Sequence, residues 1–283
     1  MYLIRGKNNL ELFKKFHPDT NLHATIGNFD GLHRGHQSIL SKIKERAKET
    51  KASSIVFFTE PHASEYFAIS TNTDAEAPPR ICPWRKKFEL LEEYGIDFAF
   101  FLKFNSSLRK MTPETFISDI LDPVGLLSLT VGDDFRFGAN RAGDFQLLRE
   151  WGSKNNIDVT NTETYLHLNE RVSSTRIRKA LLENNFSLAK ELLGRPYTFA
   201  GKVVHGQHLG RTIGIPTANI WLPKQKLPIS GVYAVRCSLD NKSIDGIANM
   251  GVRPTVGGSH PVLEVHLFNF SSNICLLYTS PSP

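Results

Sequence analysis

Two histidines three residues apart, His33 and His36, sit in the run IGNFDGLHRGHQSIL at 26–40. The run reads as a strand that ends at Gly27, turns through Asn28, Asp30 and Gly31, and enters a helix near His36. Imidazoles beside a helix N-terminus can donate to phosphate oxygens, and the unpaired backbone N–H groups of the first helical turn point the same way. The pair could equally cap the helix. With Asp30 it could offer three ligands to zinc, but no closed metal set accompanies it, and phosphate chemistry explains the glycines better. A second cluster, VSSTRIR at 172–178, places hydroxyls suited to a helix N-cap before Arg176 and Arg178, which can hold β- and γ-phosphates and stabilise a departing pyrophosphate.

A third, VGDDFRFGANRAGD at 131–144, sets Asp133, Asp134 and Arg136 as polar handles beside Phe135 and Phe137, which could flank a flat ring or simply pack. Farther on, LGRPYTFAGKVVHGQHLGRTIGIPTANI at 193–220 carries Gly206, Gly210 and Gly214 in a loop followed by Pro216, Thr217 and Asn219. It lacks the G-x-x-x-x-G-K-[ST] order of a phosphate-binding P-loop, so its glycines alone specify no nucleotide.

These groups need rigid elements to bring them together. Short apolar runs at 23–29, 54–58, 98–102 and 126–132 read as strands of a parallel sheet. Between them HQSILSKIKERAK at 36–48 puts Ile39, Ile43 and Ala47 on one helical face, and ETFISDIL at 114–121 repeats the pattern. Strand–helix alternation predicts an α/β layer fold. The segment 64–80, rich in polar residues and ending in Pro78–Pro79, predicts a long exposed loop. After Phe186 the texture changes: 198–206, 231–239, 243–251 and 261–270 read as strands separated by turn residues, an antiparallel barrel or sandwich. Alternation there projects Glu264 to the same face as Val262, with Leu263 opposite.

Composition limits the partners. A net charge of +6 over 283 residues suits anionic ligands but lacks the concentrated basic run or the basic–aromatic stripe of a nucleic-acid binder. Cys82, Cys237 and Cys275 are too scattered for a disulfide framework or a zinc cluster, which fits a reducing cytoplasm. No apolar run of membrane-spanning length and no secretory leader is evident. The expected partners are therefore small molecules, with neither nucleic acid nor membrane, and a monomer or weak homo-oligomer.

GNFDGLHRGHQ, FFTEPHASEYF at 57–67, KMTPETFI at 110–117, the 131–144 run and VSSTRIR together resemble the adenylyltransferase half of the bacterial bifunctional riboflavin kinase/FMN adenylyltransferase family, the FAD synthetases. The 193–220 run, GVYAV at 231–235, IANMGVRPTVGG at 247–258 and LEVHLFNF at 263–270 resemble the kinase half. The resemblance implies a Rossmann-like nucleotidylyltransferase domain over 1–185, and a riboflavin kinase domain, an antiparallel six-stranded β-barrel, over 186–270. It implies ATP contacts from Gly27, Asn28, Asp30, Gly31, Ser173, Ser174, Thr175, Arg178, Gly210, Thr217 and Asn219. His33, His36, Arg176 and Glu264 become catalytic, Glu264 as the base toward the riboflavin 5′-hydroxyl. Pro61, His62, Asp133, Phe135, Arg136 and Phe137 fall on the flavin side. After His62 this chain has Ala63 where the family usually has proline.

The cofactor set so implied is Mg²⁺, held through Thr217 and Asn219, with ATP as co-substrate and riboflavin, FMN and FAD as substrates or products. The tail 271–283 has no charged residue and departs from the family, so it reads as a non-native or disordered end, and the kinase half over 186–270 is expected to be incomplete and impaired. The competing readings are a nucleotidylyltransferase for another phosphorylated acceptor and an RNA-binding or regulatory protein on the same fold.

Overall fold

The computed structural model describes residues 1–70, 77–205, 215–222, 226–239, 242–255, 258–272 and 274. The first part of the chain runs through β1 (Tyr2–Arg5), α1 (Asn8–Phe16), β2 (Leu22–Ile26), α2 (Arg34–Thr50), β3 (Ser53–Glu60), α3 (Ala63–Ser70), α4 (Trp84–Glu93) and β4 (Phe98–Lys103). It continues through the short helices α5 (Ser106–Lys110) and α6 (Pro113–Phe116), then β5 (Leu126–Gly132), α7 (Phe145–Asn155) and β6 (Asp158–Thr162). A two-stranded hairpin, β7 (Leu166–His167) and β8 (Glu170–Arg171), precedes α8 (Ser174–Leu182) and α9 (Phe186–Leu193).

β1 to β6 form one parallel sheet in the order β1-β4-β3-β2-β5-β6. The chain moves outward from β2 to β3 and β4, then returns to the other side of β2 for β5 and β6. The order reverses between β2 and β5, and in such sheets the crevice beyond the strand C-termini at that point is where ligands bind. The near-continuous apolar run of β3 follows from burial on both faces. Ile55 and Phe57 enter one core with Leu22, Phe100 and Leu129; Val56 and Phe58 enter the other with Leu40, Ile43 and Leu90. Ile39, expected on the buried stripe of α2, instead borders the crevice, while Leu40, Ile43 and Ala47 are buried.

Two expectations need correction here. The stretch 64–80 is not simply an exposed loop, because α3 occupies its first part and Arg80 is 2% exposed. The helix forms because His62 Nδ1 accepts from Ser64 N–H at 3.2 Å while Glu65 Oε2 accepts from His62 N–H at 3.1 Å, a reciprocal cap. The helix expected over 114–121 is α6 running directly into a π-helical turn at Ile117–Leu121.

The second sheet consists of β9 (Val203–Val204), β10 (Ala218–Ile220), β11 (Gly231–Leu239), β12 (Lys242–Thr255) and β13 (Gly258–Leu267). Its order is β11-β12-β13-β10-β9, antiparallel throughout. The expected six-stranded barrel is thus corrected to five strands among the described residues. Among the described residues β9 and β11 lie at opposite edges with no ladder joining them, and no barrel closure is seen. One face buries Ala248, Met250, Leu263, Val265 and Leu267. α9 packs through Ala189, Leu192 and Leu193 on Ile177, Ala180 and Leu181 of α8. Residue 273 and residues 275–283 of the atypical tail lie outside the described residues.

Candidate functional site

A cavity of about 1030 Å³ opens at the β2/β5 reversal. Its first wall is the turn after β2. His33 caps α2, its Nδ1 accepting the His36 N–H at 3.3 Å, and the two imidazoles stack at 3.6 Å with planes 15° apart. Gly35 permits this stacking, since a Cβ there would lie 3.2 Å from the His33 ring. Gly31 adopts φ +79, and a side chain on it would run into Ile81 at 2.8 Å.

Burial holds both imidazoles neutral: His33 is pushed down to about 4, with the charges of Arg171 and Arg195 adding to burial and Asp30 opposing it. His36 lies well below its ordinary range through burial and the neighbouring His33 and Lys87. Because His33 Nδ1 is an acceptor, its proton resides on Nε2. His36 Nδ1 is buried without a hydrogen-bond partner among the described residues. Unpaired buried polar atoms of this kind are rare, and water, an ion or a functional role accounts for them.

The second wall is the N-terminus of α8. Ser173 caps it by accepting the Arg176 N–H at 3.2 Å, and Ser174 Oγ donates to the Asp30 carbonyl at 3.0 Å. Arg178 is joined to Asp30 Oδ2 at 2.7 Å and donates to the Pro79 carbonyl at 2.7 Å. Asp30, 2% exposed, also accepts from the backbone N–H groups of Ile81 and Cys82 at 3.2 Å. Asp30 therefore welds the histidine turn to α8 and to the 79–82 segment.

The third wall comes from α3 and the loop after β5. His62, held down to about 4 by burial and by Arg80, borders the cavity with Phe67, Asp133 and Arg136. Phe135 and Phe137 stack at 5.7 Å, and Phe137, 7% exposed, also packs on Phe116, so it serves core and cavity together. The residues singled out by sequence that meet at this cavity include Gly27, Asn28, Asp30, His33 and His36; His62, Asp133, Asp134, Phe135, Arg136 and Phe137; and Ser173, Ser174, Thr175 and Arg178.

Gly31, Pro61 and Arg176 do not border it. Arg176 is committed elsewhere, donating to the His167 and Glu170 carbonyls at 3.0 and 3.1 Å and pairing with Glu170 Oε2 at 3.0 Å. It clamps the β7–β8 hairpin. That hairpin delivers Arg171, which sequence reasoning missed, to the cavity, where it pairs with Asp133 and Asp134 at 3.0 and 3.1 Å. Arg109 and Arg141 border the cavity as well. Arg141 lies in the 131–144 run without having been singled out there, and Arg109 stands just before the 110–117 run.

A second constellation lies on the other sheet. Antiparallel register sets Asn219 of β10 opposite Glu264 of β13, and Glu264 opposite Asn249 of β12. Directly opposed residues share a face. The row Asn219–Glu264–Asn249 is thus on the face opposite buried Leu263, Val265, Ala248 and Met250. Thr217 stands two residues before Asn219, and its neighbour Pro216 is held to β13 by His266, whose Nδ1 donates to the Pro216 carbonyl at 2.8 Å. Asn249 was not singled out beforehand. Gly210 lies outside the described residues.

Among the described residues no group of three or more His, Cys, Asp or Glu side chains forms a metal cage, and no helix is long and apolar enough to cross a membrane.

Comparison with known proteins covers both constellations. Residues 15–176 match the family model described as FAD synthetase, and residues 193–279 the one described as riboflavin kinase. The chain is 43% identical over 276 residues to the bifunctional riboflavin kinase/FMN adenylyltransferase of Escherichia coli strain K12, covering 97% of this chain and 85% of that protein. It is equally similar, at 43% over 276 residues, to the protein so named from Pseudomonas fluorescens, again with 97% and 85% coverage. A solved structure described as a macrolide-efflux protein from Streptococcus pneumoniae superimposes with a TM-score of 0.78 at 26% identity, over 97% of this chain and 87% of that one.

Proposed function

The chain belongs to the bifunctional riboflavin kinase/FMN adenylyltransferase family and is an enzyme of flavin-cofactor biosynthesis; from that premise we propose that the cavity at the β2/β5 reversal is its FMN adenylyltransferase site and the Asn219–Glu264 row its riboflavin kinase site. The observation that carries the first assignment is the orphaned His36 Nδ1 at a helix N-terminus, beside an imidazole whose Nε2 carries the proton. Two neutral imidazoles and free helix N–H groups are donors suited to phosphate oxygens.

In this reading ATP lies with its phosphates along the α2 and α8 N-termini, bounded by Asn28, His33, His36, Ser173, Ser174 and Thr175. FMN lies toward His62, Asp133, Phe135 and Arg136. Its terminal phosphate oxygen attacks the α-phosphorus of ATP in line, the bond to the β-phosphate oxygen breaks, and FAD and pyrophosphate result. The protein supplies positioning and charge stabilisation rather than a nucleophile. Arg178 and Asp30 act as the frame of the phosphate wall, and Arg176 as the frame of the hairpin that presents Arg171.

At the second site Glu264 accepts the proton of the riboflavin 5′-hydroxyl as that oxygen attacks the γ-phosphorus of a second ATP, giving FMN and ADP. Thr217 and Asn219 offer oxygen donors of the kind a hard cation takes, and they would hold Mg²⁺ together with ATP phosphates and water. When bound, the ion neutralises phosphate charge.

The test incubates the purified chain with Mg-ATP and either FMN or riboflavin and separates the flavins. FAD from FMN, lost in His36→Ala with folding intact, supports the first site. A folded chain that forms no FAD from FMN refutes it.

A further inference from the structure

Behind the flavin-side wall lies a buried cluster of four charged side chains that the phosphate chemistry does not use. Arg80 reaches two carboxylates from different elements, Glu60 at the end of β3 and Glu65 in the first turn of α3. Its Nη1 donates to Glu60 Oε2 at 3.1 Å and its Nη2 to Glu65 Oε2 at 2.6 Å, with further bonds from Nη2 to Glu60 Oε1 and from Nε to Glu65 Oε1. Lys87 of α4, also buried, stands 3.9 Å from Glu60 Oε2 and 5.0 Å above the Phe58 ring. Two cations thus face two carboxylates. Burial alone would strip Arg80 of its proton more easily, but the Glu65 hydrogen bonds and the Glu60 charge outweigh it and raise its pKa.

The cluster joins the two sides of the cavity. Glu65 also receives the His62 N–H, so the guanidinium fixes the capped start of α3, from which His62, Ser64 and Phe67 border the cavity. On the other side, the residues flanking Arg80 are fastened to the phosphate wall: Pro79 accepts from Arg178, and Ile81 and Cys82 donate to Asp30. No other side chain among the described residues is seen bonding both Glu60 and Glu65 while its own neighbours in sequence bond Asp30 and Arg178.

We propose that Arg80 is a positioning residue for adenylyl transfer: acting through Glu60 and Glu65, without touching substrate, it sets the α3 wall that receives FMN against the histidine turn that receives the ATP phosphates. The proposal rests on the reading of the cavity given above. The planar, five-donor guanidinium suits this role, because it engages two carboxylates in fixed directions; an ammonium supplies the charge without the fork.

The experiment uses the full chain and steady-state formation of FAD from FMN and Mg-ATP. Arg80→Lys keeps the charge and removes the fork. The double variant Arg80→Met/Glu65→Gln removes the fork while leaving Glu60 opposite Lys87 and no buried charge unpaired, which guards against loss of the fold. Both variants should raise KM for FMN roughly tenfold, the scale of one misplaced contact, with KM for ATP changed less than about twofold. Direct FMN binding, followed by quenching of flavin fluorescence, should weaken in parallel. A folded variant whose two KM values stay at wild type, or rise together, overturns the role of Arg80. A wild-type chain that forms no FAD overturns instead the reading of the cavity on which the proposal stands.

Discussion

Substituting Arg178 by Met tests the frame of the phosphate wall most directly. The side chain is 14% exposed and its partner Asp30 2% exposed, at 2.7 Å. With the guanidinium gone, Asp30 keeps the Ile81 and Cys82 N–H groups but remains a buried carboxylate with no countercharge bonded to it. Breaking such a pair from one side costs about 3–5 kcal/mol. At about 2–4 °C per kcal/mol for a body of this size, the melting midpoint should fall by roughly 10 °C. The second member of the cycle is Asp30→Asn/Arg178→Met, in which the amide oxygen can still accept from the backbone and no charge is stranded. That pair should recover about 2 kcal/mol relative to Arg178→Met alone. Urea unfolding followed by far-ultraviolet circular dichroism gives both numbers. A single variant that loses less than about 1 kcal/mol, or a double variant equal to the sum of the two singles, would refute the view that Asp30 and Arg178 act as one buried unit.

Other outcomes follow from the same geometry. His36→Ala should lower the rate of FAD formation from FMN by about a hundredfold, as loss of a transition-state donor does, with an unchanged circular dichroism spectrum. Stability should fall on acidification: His33 and His62 are held down to about 4, whereas the unfolded chain protonates them near the ordinary 6.5, so between those values the unfolded state binds more protons. The expected loss approaches about 1.4 kcal/mol per pH unit for each imidazole, read from urea midpoints, and His62→Gln should flatten the slope. Glu264→Gln should abolish formation of FMN from riboflavin while FAD formation from FMN continues, as flavin chromatography would show; parallel loss of both activities would contradict two separate sites.

What the sequence made legible was whatever depends on local pattern. The turn after β2, the cap at Ser173 and the strand at Leu126–Gly132 each declare themselves through neighbours in sequence, by hydroxyls before a helix or an apolar run of strand length. The facing of Glu264 was readable from alternation, and its opposition to Asn219 became visible only with the register. What was hidden depends on partners far along the chain. Nothing adjacent to Arg80 reveals that it is buried, because Glu60 and Glu65 balance it only after β3 and α3 have met the 79–82 segment. Arg176 and Arg171 exchange their expected prominence for the same reason: carbonyls of the β7–β8 hairpin capture one, and the hairpin carries the other to Asp133 and Asp134. The five-stranded open sheet among the described residues was beyond the reach of turn residues alone, since closure depends on which edges pair.

The weld between Asp30 and Arg178 spans 148 positions of the chain, and this has a consequence for the order of folding. On a chain growing from its N-terminus, the histidine turn and the parallel strands can be laid down early, yet no phosphate wall exists until α8, ending at Leu182, has emerged and docked. Nascent N-terminal fragments should therefore acquire sheet before they acquire affinity for nucleotide. Contacts between such distant positions are slow to form, and a bound triphosphate can stabilise the domain only after that late closure.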